Sequence, residues 1–213
     1  MLITISRQFG AGGSSVAHLV AARLGWTVID NQVVDQVAAR AGLTPQQVAA
    51  REETAPGLFE KIVLALAASS QEILTPESAQ AIKPLDEPRL VLITEKVVAE
   101  LASAGKVVMV GRSAAAVLAG THDAIHARLV APKEHRIGVV AARSNLDRKG
   151  AEEAIDRTDA NRARYHREYY TRSWDDPDRF HFTINTAALG YDGAADLILS
   201  RAARLGWVEA KGG

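Results

Sequence analysis

The chain contains no cysteine among its 213 residues. That excludes disulfides, thiolate nucleophiles and thiolate metal sites, and it fits a reducing, cytoplasmic setting. It has no charge imbalance either: 25 lysines and arginines stand against 25 aspartates and glutamates, so no broad attraction to nucleic acid or to a membrane surface is expected. Long apolar runs are missing, since the longest, Ile62 to Ala68, is far too short to span a bilayer. No signal-peptide pattern precedes the first strand. Aromatics make up 5% of the chain, and Trp26, Trp174 and Trp207 read as packing residues rather than base-stacking platforms. The six histidines, at 18, 122, 126, 135, 166 and 181, show no metal-ligand spacing. What remains is 47% apolar and 23% charged, the balance of an ordinary globular protein. A chain of this length buries a substantial core, and 1–213 reads as one domain carrying an elaboration. Its oligomeric state is not legible.

The richest segment is Ser6-Arg7-Gln8-Phe9-Gly10-Ala11-Gly12-Gly13-Ser14-Ser15, which follows the apolar strand Leu2–Ile5 and precedes a helix over Val16–Leu24. A glycine-rich turn at a helix start aims successive N–H groups at one point, where the helix dipole favours negative charge. Glycine suits it because phosphate must approach the backbone with no Cβ in the way. Against G-x-x-x-x-G-K-[ST], Gly12 and Ser14 match, Gly13 stands where lysine belongs, and Arg7 stands at the first glycine. Arg7 is therefore the candidate source of the missing charge. Ser14 is positioned to approach Mg²⁺ and Ser15 to bond a phosphate, although either could equally serve as a helix cap. A Rossmann dinucleotide loop is the competing reading, because Gly10 to Ser15 nearly fits G-x-G-x-x-G and Asp30 lies about 20 residues on. Ser15 in place of the third glycine, and the four residues between Ile5 and Gly10, favour the phosphate loop.

Further along, Thr27–Ile29 reads as a strand ending at Asp30, and Asn31 can cap a helix running to about Ala41. Five prolines punctuate 44–88, which predicts a helical insert. A helix over about 89–104 leads into a strand at 106–110, and Ile125–Ala131 and Phe182–Asn185 read as further strands. Strands alternating with helices predict an α/β fold with a parallel sheet and ligands at the carboxyl ends of its strands. Gly10, Asp30, Gly111-Arg112 and Asn185 all fall at such ends. Between Arg143 and Arg179 lie eight arginines and one lysine against nine acids. Arg157, Asn161 and Arg164 share a helical face, with Arg162 about 100° from Asn161. A solvated helix of mutual ion pairs would account for this balance, and so would phosphate contacts by several permanent cations.

These pieces resemble the cytidylate kinase-like family, within the nucleoside monophosphate kinases. The likeness is carried by Ile3 to Gly13, by Gly111-Arg112, and by Arg157-Thr158-Asp159-Ala160-Asn161-Arg162, and it is weakest in the insert. It implies a three-layer P-loop kinase fold with a five-stranded parallel sheet, the insert at about 44–88 over the acceptor, and a lid at about 144–172. It further implies ATP as donor with Mg²⁺, donor phosphates held by Gly10, Ala11, Gly12, Gly13, Ser14 and Ser15, and phosphate contacts from Arg112, Arg157 and Arg162. Asp30 becomes an acceptor-side or metal-linked candidate. The chain departs from true cytidylate kinases twice. Gly13 replaces the loop lysine, and Gln36 stands where an arginine grips the acceptor phosphate, with Arg40 one turn further on. Cytidine monophosphate is therefore expected to be a poor substrate. The expected function is ATP-dependent phosphoryl transfer to a nucleoside monophosphate or related small molecule, a non-nucleotide hydroxyl included. The alternative is a nucleotide-binding sensor without turnover.

Overall fold

The computed structural model describes residues 1–30, 95–96, 98–111 and 113–208. The chain divides into two compact units, Met1–Ile29 with Val98–Gly213, and Asp30–Val97. Of the second unit only Asp30, Glu95 and Lys96 are described, so the expected helix after Asn31 and the insert at 44–88 lie outside the described residues. So do Gln36, Arg40 and Arg112.

The first unit is an α/β layer structure around five parallel strands: β1 (Leu2–Arg7), β2 (Thr27–Ile29), β3 (Val107–Val110), β4 (Ala124–Val130) and β5 (Phe182–Asn185). They lie in the order β2-β3-β1-β4-β5. The registers Ile3↔Val108 and Ile3↔Ile125 put β1 in the centre. Strands covered on both faces are largely apolar: β3 is so throughout, β1 breaks the pattern at Thr4, Ser6 and Arg7, and β4 carries His126 and Arg128. Alternation divides them between two cores. Ile3, Ile5, Val108, Val110, Ile125, Ala127 and Leu129 meet the helices α1 (Gly13–Leu24) and α6 (Thr186–Arg204) on one face. Leu2, Val107, Met109 and Ala124 meet Val98, Ala102, Ala114 and Leu118 on the other. Each fully buried valine or isoleucine here contributes roughly 1.5–3 kcal/mol.

The helix expected to end at Gly105 is seen as the helical stretch over 98–103, here α2, and Gly105 has φ 66. The short α3 (Ala114–Val117) follows β3. Beyond β4, α4 (Lys133–Ser144) and α5 (Arg148–Tyr170) form an antiparallel-style hairpin sharing the small core of Ile137, Val140, Ala151 and Ile155 with Phe9. Asn145, at φ 52, ends α4, and the Asp147 side chain starts α5 by accepting from the Gly150 N–H at 2.8 Å. Exposed ion pairs, Lys133 with Glu152 and Asp156 and Arg148 with Glu134, line the hairpin's outside. Residues 144–172, where a lid was expected, consist mainly of the helix α5. Trp26 is buried against Trp207, and Trp174 is buried under the Arg128 guanidinium, so the tryptophans pack as expected.

Candidate functional site

The loop after β1 is fixed by main-chain atoms. Gln8 N–H donates to the Leu129 carbonyl at 3.0 Å, and Ala11 N–H donates to the Gln8 carbonyl at 3.1 Å. The Thr186 hydroxyl donates to the Ala11 carbonyl at 3.0 Å. Glycine is required twice. Gly10 has φ 86, and a Cβ there would lie 3.0 Å from a Val140 methyl; Gly12 has φ 79, and a Cβ there would fall on the Tyr191 ring. Tyr191 is aimed there by Gly190, whose φ of 68 breaks α6. The helix α1 starts at Gly13, earlier than the apolar pattern alone suggested, with Gly12 as N-cap and no side-chain cap. Ser14 and Ser15 are therefore inside the first turn and do not cap it. The first-turn amides of Gly13, Ser14 and Ser15 have no intrahelical acceptor, and no acid stands in that turn, the arrangement an anion site uses.

Arg7 explains why the loop has no lysine. A Cβ at Gly13 would lie 2.8 Å from Arg7 Cγ and 3.1 Å from Cδ, and a Cβ at Gly111 would collide with the Arg7 guanidinium. The stem of Arg7 thus covers Gly13, and its charge reaches the turn after β3, where Gly111 has φ 71. A side chain at position 13 would have to displace the Arg7 stem.

One carboxylate joins the loop to the hairpin. Asp159 on α5 accepts from the Phe9 N–H at 2.9 Å and from Arg136 Nη1 at 2.7 Å, and Arg162 Nη1 lies 3.5 Å from its other oxygen. Arg136 also donates to the Ala131 and Phe9 carbonyls at 3.0 and 3.1 Å, and Arg162 Nη1 donates to the Arg7 carbonyl at 2.9 Å. Arg128, 2% exposed, stacks on Trp174 and donates to its carbonyl at 2.8 Å. Four guanidiniums, of Arg7, Arg128, Arg136 and Arg162, crowd here around Asp159, with Asp175 near Arg128. Burial, and then the neighbouring Arg7 charge, push Arg162 down to about 9 despite Asp159. Burial also lowers Arg128 from its ordinary value, against the pull of Asp175 and Asp159. The like charges of Arg7, Arg128 and Arg136 act against that of Arg162. A polyanion would relieve that repulsion.

A pocket opens beside the loop, where β1 and β3 end. Ser6, Gly111, Ser113, His166, Arg172, Ser173 and Arg179 line it with Ala114–Ala116 and Phe180. Ser113 is held at φ 53, ψ 19, a region that non-glycine residues seldom occupy, and its hydroxyl lies 3.3 Å from His166 Nε2. Burial, then Arg128 and Arg172, push His166 down to about 4. It is therefore neutral at physiological pH.

The structure brings Arg7, Gly10 to Ser15 and Arg162 together at one end of the sheet. It does not bring Arg157. Ile155, Asp159 and Arg162 form the inward stripe of α5, whereas Arg157 lies exposed on the outer face with Asn161 and Arg164, so the shared face foreseen for those three is the solvated one. Asp30, directly after β2, is buried. Sequence reasoning missed Arg128, Arg136, Asp159, His166 and Arg172. For Arg128 a signal existed, because an arginine within the otherwise apolar Ala124–Val130 must be paired or stacked to be tolerated. The strand order also removes the dinucleotide alternative, since β3 separates β1 from β2, whereas Rossmann sheets run 3-2-1-4-5-6.

Comparison with known proteins agrees with this fold. The fold is shared with a protein of undescribed function from Eubacterium ventriosum (21% identity, TM-score 0.63, 94% of this chain and 97% of that one). It is also shared with a shikimate kinase from Acinetobacter baumannii solved with shikimate (16% identity, TM-score 0.52, 95% and 93%). A shikimate kinase from Bacteroides thetaiotaomicron matches at 12% identity and a TM-score of 0.50, over 95% and 98%. No curated protein matches the sequence. A family model, that of the cytidylate kinase-like family, matches residues 2–188. The chain belongs to the cytidylate kinase-like family and has the P-loop kinase fold.

Proposed function

We propose that this kinase-family chain transfers the γ-phosphoryl group of ATP to a small anionic acceptor, with Arg7 replacing the lysine of the phosphate loop. The observation that carries this reading is the path of Arg7, stem over Gly13 and guanidinium at Gly111. It lays a permanent cation between the loop and the pocket, where charge develops during transfer. The first-turn amides of Gly13, Ser14 and Ser15 would hold the donor phosphates, and Arg162 would reach them from α5. Little covalent chemistry is asked of the protein: the work is positioning and charge neutralisation. Mg²⁺ suits the residues present, because Ser14 offers an exposed neutral oxygen on the first turn and this ion takes most of its ligands from phosphates and water. Held near Ser14, it would offset the negative charge of the donor phosphates. Asp30, Gln36, Arg40 and Arg112 stand as acceptor-side or phosphate-contacting residues on the family resemblance alone.

The test is a charge swap. Arg7→Ala is expected to weaken ATP binding or single-turnover transfer about tenfold or more, the loss of one charge-assisted bond, with little change in Tm. Adding Gly13→Lys to that variant is expected to restore much of the loss, whereas Gly13→Lys beside an intact Arg7 overpacks the loop at a cost of about 1–3 kcal/mol. Wild-type affinity and turnover in Arg7→Ala would sink the assignment. ATP binding without any transfer in the unaltered chain would favour the sensor reading, which the absent lysine motivates.

A further inference from the structure

We propose that His166 is the proton acceptor of the transfer step, and that the acceptor group is accordingly the hydroxyl of a small anionic alcohol rather than a phosphate. The inference rests on the kinase reading above and deepens it. A phosphate acceptor is already anionic and needs no base, whereas an alcohol must lose its proton as its oxygen bonds to phosphorus. Among the described residues lining the pocket there is no carboxylate, and the serines are too weakly basic. His166 is the lining group with a lone pair able to take a proton. Its Nε2 faces the Ser113 hydroxyl at 3.3 Å, so it already addresses an alcohol oxygen at the pocket wall, from a residue held in a strained backbone conformation (φ 53).

The surroundings keep His166 ready. Arg128 from β4 and Arg172 beyond the end of α5 act on it, Tyr165 and Tyr170 pack on its ring, and Arg179 lines the same pocket. Burial and those arginines hold it unprotonated, down at about 4. The same arginines, with no acid among the described lining residues, are what an anionic substrate would neutralise. Once the triphosphate and that anion are bound, their charge offsets Arg128 and Arg172 and moves His166 back towards its ordinary range, where a base is effective near neutral pH. In the step itself the acceptor O–H bond breaks as its oxygen bonds to the γ-phosphorus. The bond from that phosphorus to the β–γ bridging oxygen breaks, its electron pair leaving on the diphosphate, and the proton passes to His166 Nε2 and then to water.

The experiment uses the full chain. ATP with Mg²⁺ is first titrated by calorimetry: no binding takes down the kinase reading and this inference together. With binding established, transfer from γ-labelled ATP is followed between pH 5 and 9 to glycerate, malate and gluconate, to cytidine, uridine and adenosine monophosphates, and to water. His166→Gln is expected to lower kcat about 100-fold or more with ATP affinity unchanged. It is also expected to abolish the acid limb of the kcat profile, which reports the ligand-bound enzyme, and the product on the preferred acceptor to be an acid-stable ester. His166→Gly with added imidazole is expected to regain rate, which a merely structural histidine would not permit. The inference is overturned by a His166→Gln enzyme with wild-type kcat, by a loss uniform across pH that imidazole does not relieve, or by label found mainly in the acid-labile anhydride of a nucleoside diphosphate. A chain that binds ATP but transfers phosphate to nothing, water included, overturns it too while leaving the nucleotide site standing.

Discussion

The two sides of the site hold their shape by different means. The loop between β1 and α1 is set by main-chain bonds and by glycines that no side chain could replace. The α5 side is set by charge: one carboxylate, Asp159, ties Arg136 and Arg162 to the Phe9 amide across about 150 residues of sequence. The first arrangement rests on neutral bonds and close packing and is nearly independent of salt. The second is long-range and, being part buried, depends on every partner being present. A loop of the first kind can wait for a triphosphate unchanged. A helix of the second kind is poised to rearrange when an anion competes for its arginines.

If that contrast is right, the greatest damage comes from cutting the joint between the two. Asp159→Ala leaves Arg136, whose side chain is 8% exposed, without its carboxylate, and leaves the Phe9 N–H unsatisfied. Removing one partner of a buried pair costs roughly 3–5 kcal/mol, so a Tm lower by ten degrees or more is expected from calorimetry. Added sulfate or ATP should recover part of it by supplying the missing negative charge. A loss below about 1 kcal/mol, the level of an exposed pair, would mean that α5 is held by the Ile137, Val140, Ala151 and Ile155 core instead.

The same contrast decides what could be read from the sequence. The loop was legible because backbone recognition forces glycines into fixed places, and the strand over 106–110 because a buried parallel strand must be apolar; the edge strands Thr27–Ile29 and Phe182–Asn185 were carried by β-branched and aromatic residues. The start of α1 was placed three residues late, since Gly13 to Ser15 carry no apolar pattern although their amides begin the helix. β1 runs on to Arg7 because Ser6 and Arg7 pair with Arg128 and Leu129, a partner that polar side chains do not advertise. The α5 side was barely legible. Asp159 was visible as one acid among nine in a charged stretch and as a member of the motif from Arg157 to Arg162, and nothing in spacing says that it meets Phe9. His166 pointed nowhere until Ser113 and Arg172 were brought beside it.

A comparison of two histidines sharpens the contrast at intermediate size. His126 in β4 is buried, bonded to the Thr4 hydroxyl at 2.7 Å and stacked on His181, and burial followed by the His181 charge pushes it down to about 4. His166 is lowered to about the same value, but by burial and arginines in an open pocket. A histidine lowered from 6.5 in the unfolded chain favours folding in its neutral form. Its contribution is complete above about pH 6.5 and is lost as the pH falls towards 4, at up to about 1.4 kcal/mol per pH unit. Stability should therefore decline between pH 6.5 and 4.5 by about 2 kcal/mol for His126 and by less for the half-buried His166. Urea unfolding across that range checks the sign, and His126→Gln should flatten the curve with or without ATP. Saturating ATP should reduce only the His166 share. A curve that ATP leaves wholly unchanged would separate the pocket from the nucleotide site.

The smallest effect is expected where the family resemblance and the geometry disagree, at Arg157. The resemblance places both Arg157 and Arg162 on phosphates. In the structure they lie five residues apart on α5, hence about 140° around the helix from each other. Arg162 points inward to the Arg7 carbonyl and Asp159, and Arg157 points to solvent. Arg162→Ala is expected to weaken ATP binding about tenfold or more, while Arg157→Ala should alter ATP affinity less than about twofold and stability by no more than ~0.5 kcal/mol, as for an isolated surface change. Calorimetric titration of both variants against the unaltered chain decides between two pictures. Losses as predicted mean that α5 already presents its phosphate-binding face in the docked arrangement seen here. A tenfold loss at Arg157 as well would mean that donor binding turns the helix about its axis. Turning it would release Asp159 from Phe9 and hand the arginines from the carboxylate to the triphosphate.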